Sequence, residues 1–243
     1  AQERLAPFAA EWDREHTFPA AALQELGELG AMGMVVPEEW GGAGMDYMSL
    51  VLTLEEIAAG DGATSTIVSV QNSLACGIPN KYGSEAQKEE WLKTLARGEK
   101  LGCFCLTEPH TGSDASAITT RADRDGDHFV LNGVKHYITT GSHADVAIVF
   151  AVTDTYEHNG RKRNAVTAFL VDRGTPGMTI RRGPKCVSNR GYHTYEMFFD
   201  DCRVPASKVL GEVGKGWEVA NAWLTAGRVM VAANCVGQAQ RAL

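Results

Sequence analysis

The sequence contains no apolar run long enough to cross a bilayer, for which about 20 consecutive apolar residues would be needed. Its opening stretch, AQERLAPFAAEWDREH, lacks the apolar centre of a secretory signal peptide, so we expect an intracellular protein. The net charge is −7, with acidic and basic residues interleaved, which makes a nucleic-acid backbone or an anionic membrane a poor partner. Backbone amides and single cations can still hold a small anion against this net charge.

The six cysteines and seven histidines lack the spacing of a disulfide framework or a metal site. The closest cysteines, Cys103 and Cys105, form C-x-C within a predicted strand, which favours reduced thiols in a protein core. No two histidines have H-x-x-x-H spacing, so we predict no metal site. The sequence also lacks the G-x-S-x-G, P-loop and G-x-G-x-x-G patterns, which gives no support to a serine hydrolase, a phosphoryl-transfer enzyme or a dinucleotide fingerprint.

The first part of the chain has the composition and spacing of helices. Leucine, alanine and glutamate dominate, and Leu50, Leu54 and Ile57 fall on one helical face. Ser84 followed by Gln87 three residues later predicts a capping box at the start of a further helix. The segment PEEWGGAGMD between two such stretches predicts a turn.

From about Leu101 the pattern changes to short β-branched and aromatic runs separated by turn residues. HFVLNGVKHYIT predicts a hairpin that turns at Asn132–Gly133, and ADVAIVFAVT, AVTAFLVD, GMTIRR and TYEMFFDDCRVP predict further strands. Strands in series without helices between them favour a small barrel or sandwich. Helical spacing returns at Gly216 and continues to Leu243, where we expect the helix to be still running and the chain incomplete.

These patterns predict an α+β multidomain fold in three parts. The parts are an N-terminal helical domain over 1–100, a middle β-barrel-like domain over 101–212, and the first helix of a C-terminal helical domain over 213–243.

The stretch LTEPHTGSD is the first candidate for a binding site. Gly112 permits a positive φ and close backbone approach, and the hydroxyls of Thr111 and Ser113 lie beside backbone amides, which suits an anion-binding nest. The alternative is an ordinary β-turn after a strand, and for these residues alone the turn is the commoner structure. Glu108 and Asp114 in the same stretch are more typical of local hydrogen-bond acceptors than of general bases.

Two further candidates follow along the chain. In KHYITTG, Tyr137 and the two threonines could lay a flat ring and hydroxyls against a planar heterocycle, although an ordinary strand end explains them equally well. Arg228 stands in an otherwise apolar part of the last helix and needs an anionic partner. That partner is either a structural carboxylate or a ligand phosphate, and the sequence alone favours neither.

The order of these segments resembles the acyl-CoA dehydrogenase family over nearly the whole chain. The resemblance is carried by PEEWGGAGMD, CFCLTEPHTGSD, LNGVKHYITTG with ADVAIVFAVT, and FFDDCRVPASKVLGEVGKGW. One of these segments would be a weak signal, whereas all of them in this order are highly specific. The resemblance implies a helical domain, a middle β domain and a second helical domain with a four-helix bundle, with FAD bound at their junction.

The resemblance also implies roles for matching residues. It implies FAD contacts at Phe104, Cys105, Leu106, Thr107, Gly112, Ser113, Tyr137, Ile138 and Thr139. It implies contacts to the acyl-CoA substrate at Ser113, Thr225 and Arg228. The family more often has tryptophan where this chain has Tyr137, and tyrosine offers the ring a smaller aromatic face.

The activity implied by the resemblance is α,β-dehydrogenation of an acyl-CoA thioester to a trans-2-enoyl-CoA, with electrons passed to an electron-transfer flavoprotein. The family's carboxylate base is not matched here, because its alternative position is occupied by Gly227, so we expect the base beyond Leu243. A homotetramer is implied, located in the bacterial cytoplasm or the mitochondrial matrix. Two alternatives stay open: a flavin oxidase or monooxygenase of the same fold, and a non-catalytic acyl-CoA-binding or assembly subunit.

The substrate's acyl chain is the last feature that the resemblance addresses. SVQNSLACGIPNKYGS matches the region that lines the acyl pocket and is most similar to members that act on short chains. Tyr192 and His193 stand where small residues are more typical, which leaves branched or unusual acyl groups open.

Overall fold

A computed structural model describes residues 1–243 and confirms that the first part of the chain is helical. Its helices are α1 (Ala6–Glu15), α2 (Ala20–Glu28), α3 (Tyr47–Gly60), α4 (Gly62–Val70), α5 (Gly77–Tyr82), α6 (Glu85–Gln87) and α7 (Lys93–Ala96). Two π-helical segments, Gln71–Cys76 and Lys88–Leu92, join α4 to α5 and α6 to α7.

The helices begin where side chains satisfy their free amides. Asp61 caps α4 by accepting a hydrogen bond from the Thr64 amide at 2.7 Å. The capping box of Ser84 and Gln87 is confirmed, since each side chain accepts from the other residue's amide. The predicted apolar face of α3 is buried in the helical core, as expected from its spacing.

The middle of the chain forms one curled sheet of eight strands, which confirms the barrel-like expectation. Its strands are β1 (Gly102–Cys105), β2 (Arg121–Asp125), β3 (His128–Thr139), β4 (Val146–His158), β5 (Arg161–Asp172), β6 (Met178–Arg182), β7 (Thr194–Pro205) and β8 (Val209–Leu210). The strand order is β6-β7-β3-β2-β4-β5-β8, and β1 pairs in parallel with β4.

The two faces of β4 explain its continuous apolar run. Ile148 and Phe150 pack in a core shared with the helices, whereas Val149 and Ala151 pack on the opposite face, inside the curl of the sheet. Because side chains alternate across a strand, a strand buried on both faces needs apolar residues at every position.

The predicted hairpin turn at Asn132–Gly133 is wrong, because β3 runs through both residues. The Asn132 side chain accepts a hydrogen bond from the Asp201 amide of β7 at 2.9 Å, and Gly133, with φ of 152°, lies at a shift in strand register. The pair therefore lies within a long strand, opposite a bulge in β7 where Asp200 and Asp201 face the single residue Asn132. The Asn-Gly pair that does turn a hairpin is Asn159–Gly160, between β4 and β5, where both φ angles are positive.

The chain ends in a long helix, α8 (Gly216–Ala242), as the spacing predicted. Val219 and Trp223 join the core between helices and sheet, and Met230 joins the N-terminal helical core. One helix thus packs against both parts of the molecule. No helix of the molecule combines the length and apolar character that crossing a membrane requires.

Two glycines of α8 give a matched test of its packing. A Cβ at Gly237 would overlap the Glu55 carbonyl oxygen and lie 2.8 Å from the Ala58 Cβ of α3, whereas a Cβ at Gly227 meets nothing within 4 Å. We expect Gly237→Ala to lower the free energy of unfolding by about 1–3 kcal/mol through overpacking. Gly227→Ala should raise it by up to about 1 kcal/mol, because alanine favours a helix. Urea unfolding of both variants checks this, and equal effects at the two positions would contradict the packing of α8 on α3.

Candidate functional site

A cleft of about 550 Å³, named the main cleft for the assigned residues that line it and not for its size, lies where the loop after β1, the end of β3, the α4 region and α8 meet. Most of the residues assigned from the resemblance line it. These are Phe104, Leu106, Thr107, Gly112, Ser113, Tyr137, Ile138, Thr139 and Arg228. Residues separated by up to about half of the chain therefore line the same cleft.

Two assigned residues lie elsewhere. The side chain of Cys105 is fully buried in the sheet core, where its sulfur lies 3.4 Å from Met197 Sδ, so only its backbone is left for a cleft contact. Thr225 is exposed and its hydroxyl donates to the Asn221 carbonyl of its own helix, so it does not line the cleft.

The loop after β1 contains both structures that the sequence left open, a turn and a set of free donors. Glu108 and Thr111 exchange backbone hydrogen bonds across Pro109 at 3.0 and 3.1 Å, which makes the turn. The backbone amides of Gly112 and Ser113 and the Ser113 hydroxyl make no hydrogen bond within the chain. Free donors beside a cleft are what an anion-binding loop requires.

Gly112 does not use the positive φ that a glycine permits, because it is not among the residues with left-handed backbone. A Cβ at this position would meet only the Thr107 methyl group, at 3.6 Å. The absence of a side chain at Gly112 therefore leaves space at the wall of the cleft. The turn itself does not require glycine at this position.

The end of β3 has an unusual backbone. Tyr137 has φ of 57° and Thr140 has φ of 61°, and the strand register shifts between Lys135 and Ile138. Left-handed conformations of non-glycine residues cost of order 1–3 kcal/mol and persist where the surroundings impose them. The bulge turns Tyr137 out of the sheet, where it lines the cleft and is 56% exposed.

Arg228 has no structural carboxylate partner. No aspartate or glutamate oxygen lies within 4.0 Å of its guanidinium, although the side chain lines the main cleft. Arg228 also lines a side cleft of about 660 Å³ between the α4 region and α8, which shares Val70, Leu74 and Leu224 with the main cleft. Within residues 1–243 no carboxylate pairs with Arg228, so its guanidinium is available to a ligand in the cleft.

Tyr192 and His193 have different positions. Tyr192 lines the side cleft, together with Thr66 of α4. His193 lies outside both clefts, since its Nδ1 is 3.0 Å from the Tyr195 hydroxyl and its Nε2 is 2.7 Å from the His16 carbonyl oxygen. Burial lowers the pKa of His193, although the carbonyl bond opposes this. His193 therefore connects the N-terminal helices to the sheet.

A buried ion pair beneath the loop was missed by sequence reasoning. Lys135 of β3 is fully buried, and its ammonium donates to Glu108 Oε1 at 2.7 Å. Glu108 also accepts from the Thr119 and Thr120 amides at 2.7 and 3.0 Å, which confirms its expected role as a local acceptor. Strand alternation offered a signal, because Lys135 has the same parity as the buried Phe129 of β3.

The charge state of this pair follows from its surroundings. Burial raises the pKa of Glu108, but the Lys135 ammonium and the threonine donors more than offset this and bring it to about 2. Burial lowers the pKa of Lys135, and Glu108 opposes that change. The 2.7 Å distance between the Lys135 ammonium and Glu108 Oε1 is that of a buried ion pair.

Comparisons with known proteins agree with this architecture. The profile of the acyl-CoA dehydrogenase N-terminal domain matches residues 1–99, and that of the middle domain matches residues 103–202. The human mitochondrial short-chain specific acyl-CoA dehydrogenase is 44% identical over 243 residues, which is 100% of this chain and 58% of that protein.

Solved structures of acyl-CoA dehydrogenases are also similar to this chain. Butyryl-CoA dehydrogenase from Megasphaera elsdenii has a TM-score of 0.91 and 39% identity, covering 99% of this chain and 63% of its own. A glutaryl-CoA dehydrogenase from Mycobacterium smegmatis, in complex with FADH2, has a TM-score of 0.90 and 38% identity, covering 98% of this chain and 59% of its own. The chain thus spans less than two thirds of the length of these relatives.

The Glu108 carboxylate should contribute to acid stability. Its pKa is about 2 in the folded protein and about 4.3 in an unfolded chain, so its contribution is complete above pH 5 and is lost as the pH falls towards 2. We expect the wild type to lose about 2 kcal/mol from this group between pH 6 and pH 2.5, and Glu108→Gln to show no such loss. Urea unfolding between pH 6 and pH 2.5 measures it. Asp123→Asn, which removes a carboxylate from an exposed pair with Arg121, is the control. An unchanged pH slope in Glu108→Gln would contradict the assignment.

Proposed function

The chain belongs to the acyl-CoA dehydrogenase family, and on that premise we propose that its protein catalyses FAD-dependent α,β-dehydrogenation of an acyl-CoA thioester, giving a trans-2-enoyl-CoA. One observation carries the proposal: free amide donors, an out-turned aromatic ring and an unpaired arginine line the same cleft. A ligand with anionic groups and a flat ring suits these three features together.

The donors in the main cleft fit FAD. The amides of Gly112 and Ser113 would hold its pyrophosphate, because they have no partner within the chain. Tyr137 and the backbone from Phe104 to Thr107 would hold its ring, and the Thr107 hydroxyl has no partner within the chain either. When bound, FAD supplies a hydride acceptor that no amino-acid side chain can replace.

Arg228 supports binding of the CoA part of the substrate. Its guanidinium has no carboxylate within 4.0 Å and stands between the two clefts, so an anionic phosphate would give it the partner that it lacks. The side cleft would then take the acyl group, because Val70, Leu74 and Leu224 give it an apolar entrance shared with the main cleft.

The reaction requires removal of the acidic α-proton and hydrogen bonds that stabilise negative charge on the thioester oxygen. Asp114 is the carboxylate that lines the main cleft, but it is exposed and its Oδ1 accepts from the Ser116 hydroxyl at 2.6 Å. An exposed carboxylate is a poor base for a step that must exclude water, so we assign no base among these residues. The apolar side chains Leu74, Leu106 and Leu224 would keep water from the reacting carbons.

The remaining features of the proposal follow from the family. We include a homotetramer and transfer of electrons to an electron-transfer flavoprotein, both from the resemblance. Relatives include a mitochondrial human protein and a protein from Clostridium acetobutylicum, which supports a location in the mitochondrial matrix or the bacterial cytoplasm. A short acyl chain is supported by the short-chain relatives.

The purified full-length protein should bind FAD and turn yellow, and anaerobic butyryl-CoA should bleach it faster than a long-chain acyl-CoA does. Absorbance at the flavin maximum under argon measures this, and mass spectrometry identifies the enoyl product. A full-length protein that binds no added FAD would contradict the proposal. Bleaching that reverses rapidly in air, without an added acceptor, would point to the oxidase alternative. Ligand binding without bleaching would point to the non-catalytic subunit.

Arg228→Gln should weaken acyl-CoA binding by roughly 10- to 100-fold, the range for loss of one charge-assisted hydrogen bond. Titration of the flavin spectrum with butyryl-CoA measures the dissociation constant. Arg241→Gln is the matched control, because Arg241 carries the same charge on the same helix but donates to the Gly60 carbonyl of α3, away from both clefts. Equal weakening by the two substitutions would refute a direct phosphate contact at Arg228.

A further inference from the structure

Two walls of the main cleft, the loop after β1 and the bulge at Tyr137, both contact Lys135 or its neighbours in β3. The Lys135 ammonium donates to the Leu106 carbonyl at 3.1 Å and to Glu108 Oε1 at 2.7 Å. The amide of the next residue, His136, donates to the Thr107 carbonyl at 2.8 Å. Strand β3 therefore holds three consecutive residues of the loop after β1.

Glu108 extends this attachment to the far end of the loop. Its carboxylate accepts from the Thr119 amide and hydroxyl and from the Thr120 amide, at 2.7 to 3.0 Å. The loop between these points contains the free donors of Gly112 and Ser113. Both ends of the donor loop thus meet at one carboxylate, and that carboxylate is 2% exposed.

The second wall begins at Lys135 itself. The bulge with left-handed Tyr137 starts directly after it, at the register shift between Lys135 and Ile138. A strained bulge keeps its shape only where the contacts around it are rigid. The two hydrogen bonds from the Lys135 ammonium supply such contacts at its base.

We propose that Lys135 is a positioning residue: paired with Glu108, it fixes the donor loop and the Tyr137 bulge relative to each other before a ligand binds. The inference rests on the proposed function only for the identity of the ligand, FAD. A contribution to stability alone is the competing explanation. The two can be separated, because replacing both members of a buried ion pair with neutral residues is often neutral for stability.

The test compares Lys135→Met and the double variant Lys135→Met/Glu108→Gln with the wild type. Lys135→Met leaves an unpaired buried carboxylate and should lower the melting temperature. The double variant should melt within about 4 °C of the wild type. It should nevertheless bind FAD roughly 10- to 100-fold more weakly, because the loop loses both hydrogen bonds from the Lys135 ammonium.

Amide hydrogen exchange gives a measurement that needs no FAD. The amides of Glu108, Thr111 and His136 are hydrogen-bonded across the loop, and in the FAD-free double variant they should exchange roughly tenfold faster or more. The matched control is Arg190→Met/Asp13→Asn, which removes an ion pair of 2.8 Å that lies outside the main cleft. This control should change neither exchange at the loop nor FAD affinity.

The outcomes separate the two proposals. Unchanged loop exchange and unchanged FAD affinity in the double variant would overturn the role of Lys135. If the wild type binds no FAD, the proposed function fails, and the exchange measurement alone decides whether Lys135 holds the loop. If Lys135→Met does not fold, the double variant, which leaves no unpaired buried charge, carries the test.

Discussion

The close packing of α8 is the constraint on which both clefts depend. Near its start the helix touches β5, since a Cβ at Gly216 would lie 2.7 Å from the Thr167 carbonyl carbon. In its middle, Trp223 packs directly on Gly77 of α5, and near its end Gly237 meets the α3 backbone. Three contacts of this kind determine the position and rotation of a rigid rod. Arg228 and Leu224 reach the clefts because α8 cannot rotate or slide between these contacts.

The sheet side of the main cleft is determined in another way, by charge and backbone strain. A lysine is costly to bury, and the cost is offset only when its ammonium and its partner carboxylate are paired and hydrogen-bonded. Glu108 meets this condition with donors from Lys135, Thr119 and Thr120. Because removing either charge would leave the other unpaired, the arrangement has little freedom to vary. The strained backbone at Tyr137 begins directly after Lys135, one member of this ion pair.

The sequence was sufficient for elements whose signals are local. Helical spacing, capping boxes and alternating apolar residues depend on neighbours within a few positions, and the helices and most strands follow them. Prediction from the sequence failed where a residue distant along the chain determines the local structure. Asn132–Gly133 has the local pattern of a turn, but Asp201 of β7, far along the chain, is hydrogen-bonded to the asparagine, and β3 continues through both residues. Alternation along β3 could have marked Lys135 as buried, but it could not identify the partner Glu108, which lies on another element.

The same reasoning explains why the main cleft can suit an anionic ligand in a chain with a net charge of −7. Salt screens exposed charges beyond about 8–10 Å, so most of the surface carboxylates contribute little inside a cleft. What remains are the nearby groups: an unpaired Arg228, the free amides of Gly112 and Ser113, and one exposed carboxylate, Asp114, that is already engaged with a hydroxyl. Net charge therefore argues against long polyanions, which contact a wide surface. It does not argue against a ligand whose phosphates contact only the donors within one cleft.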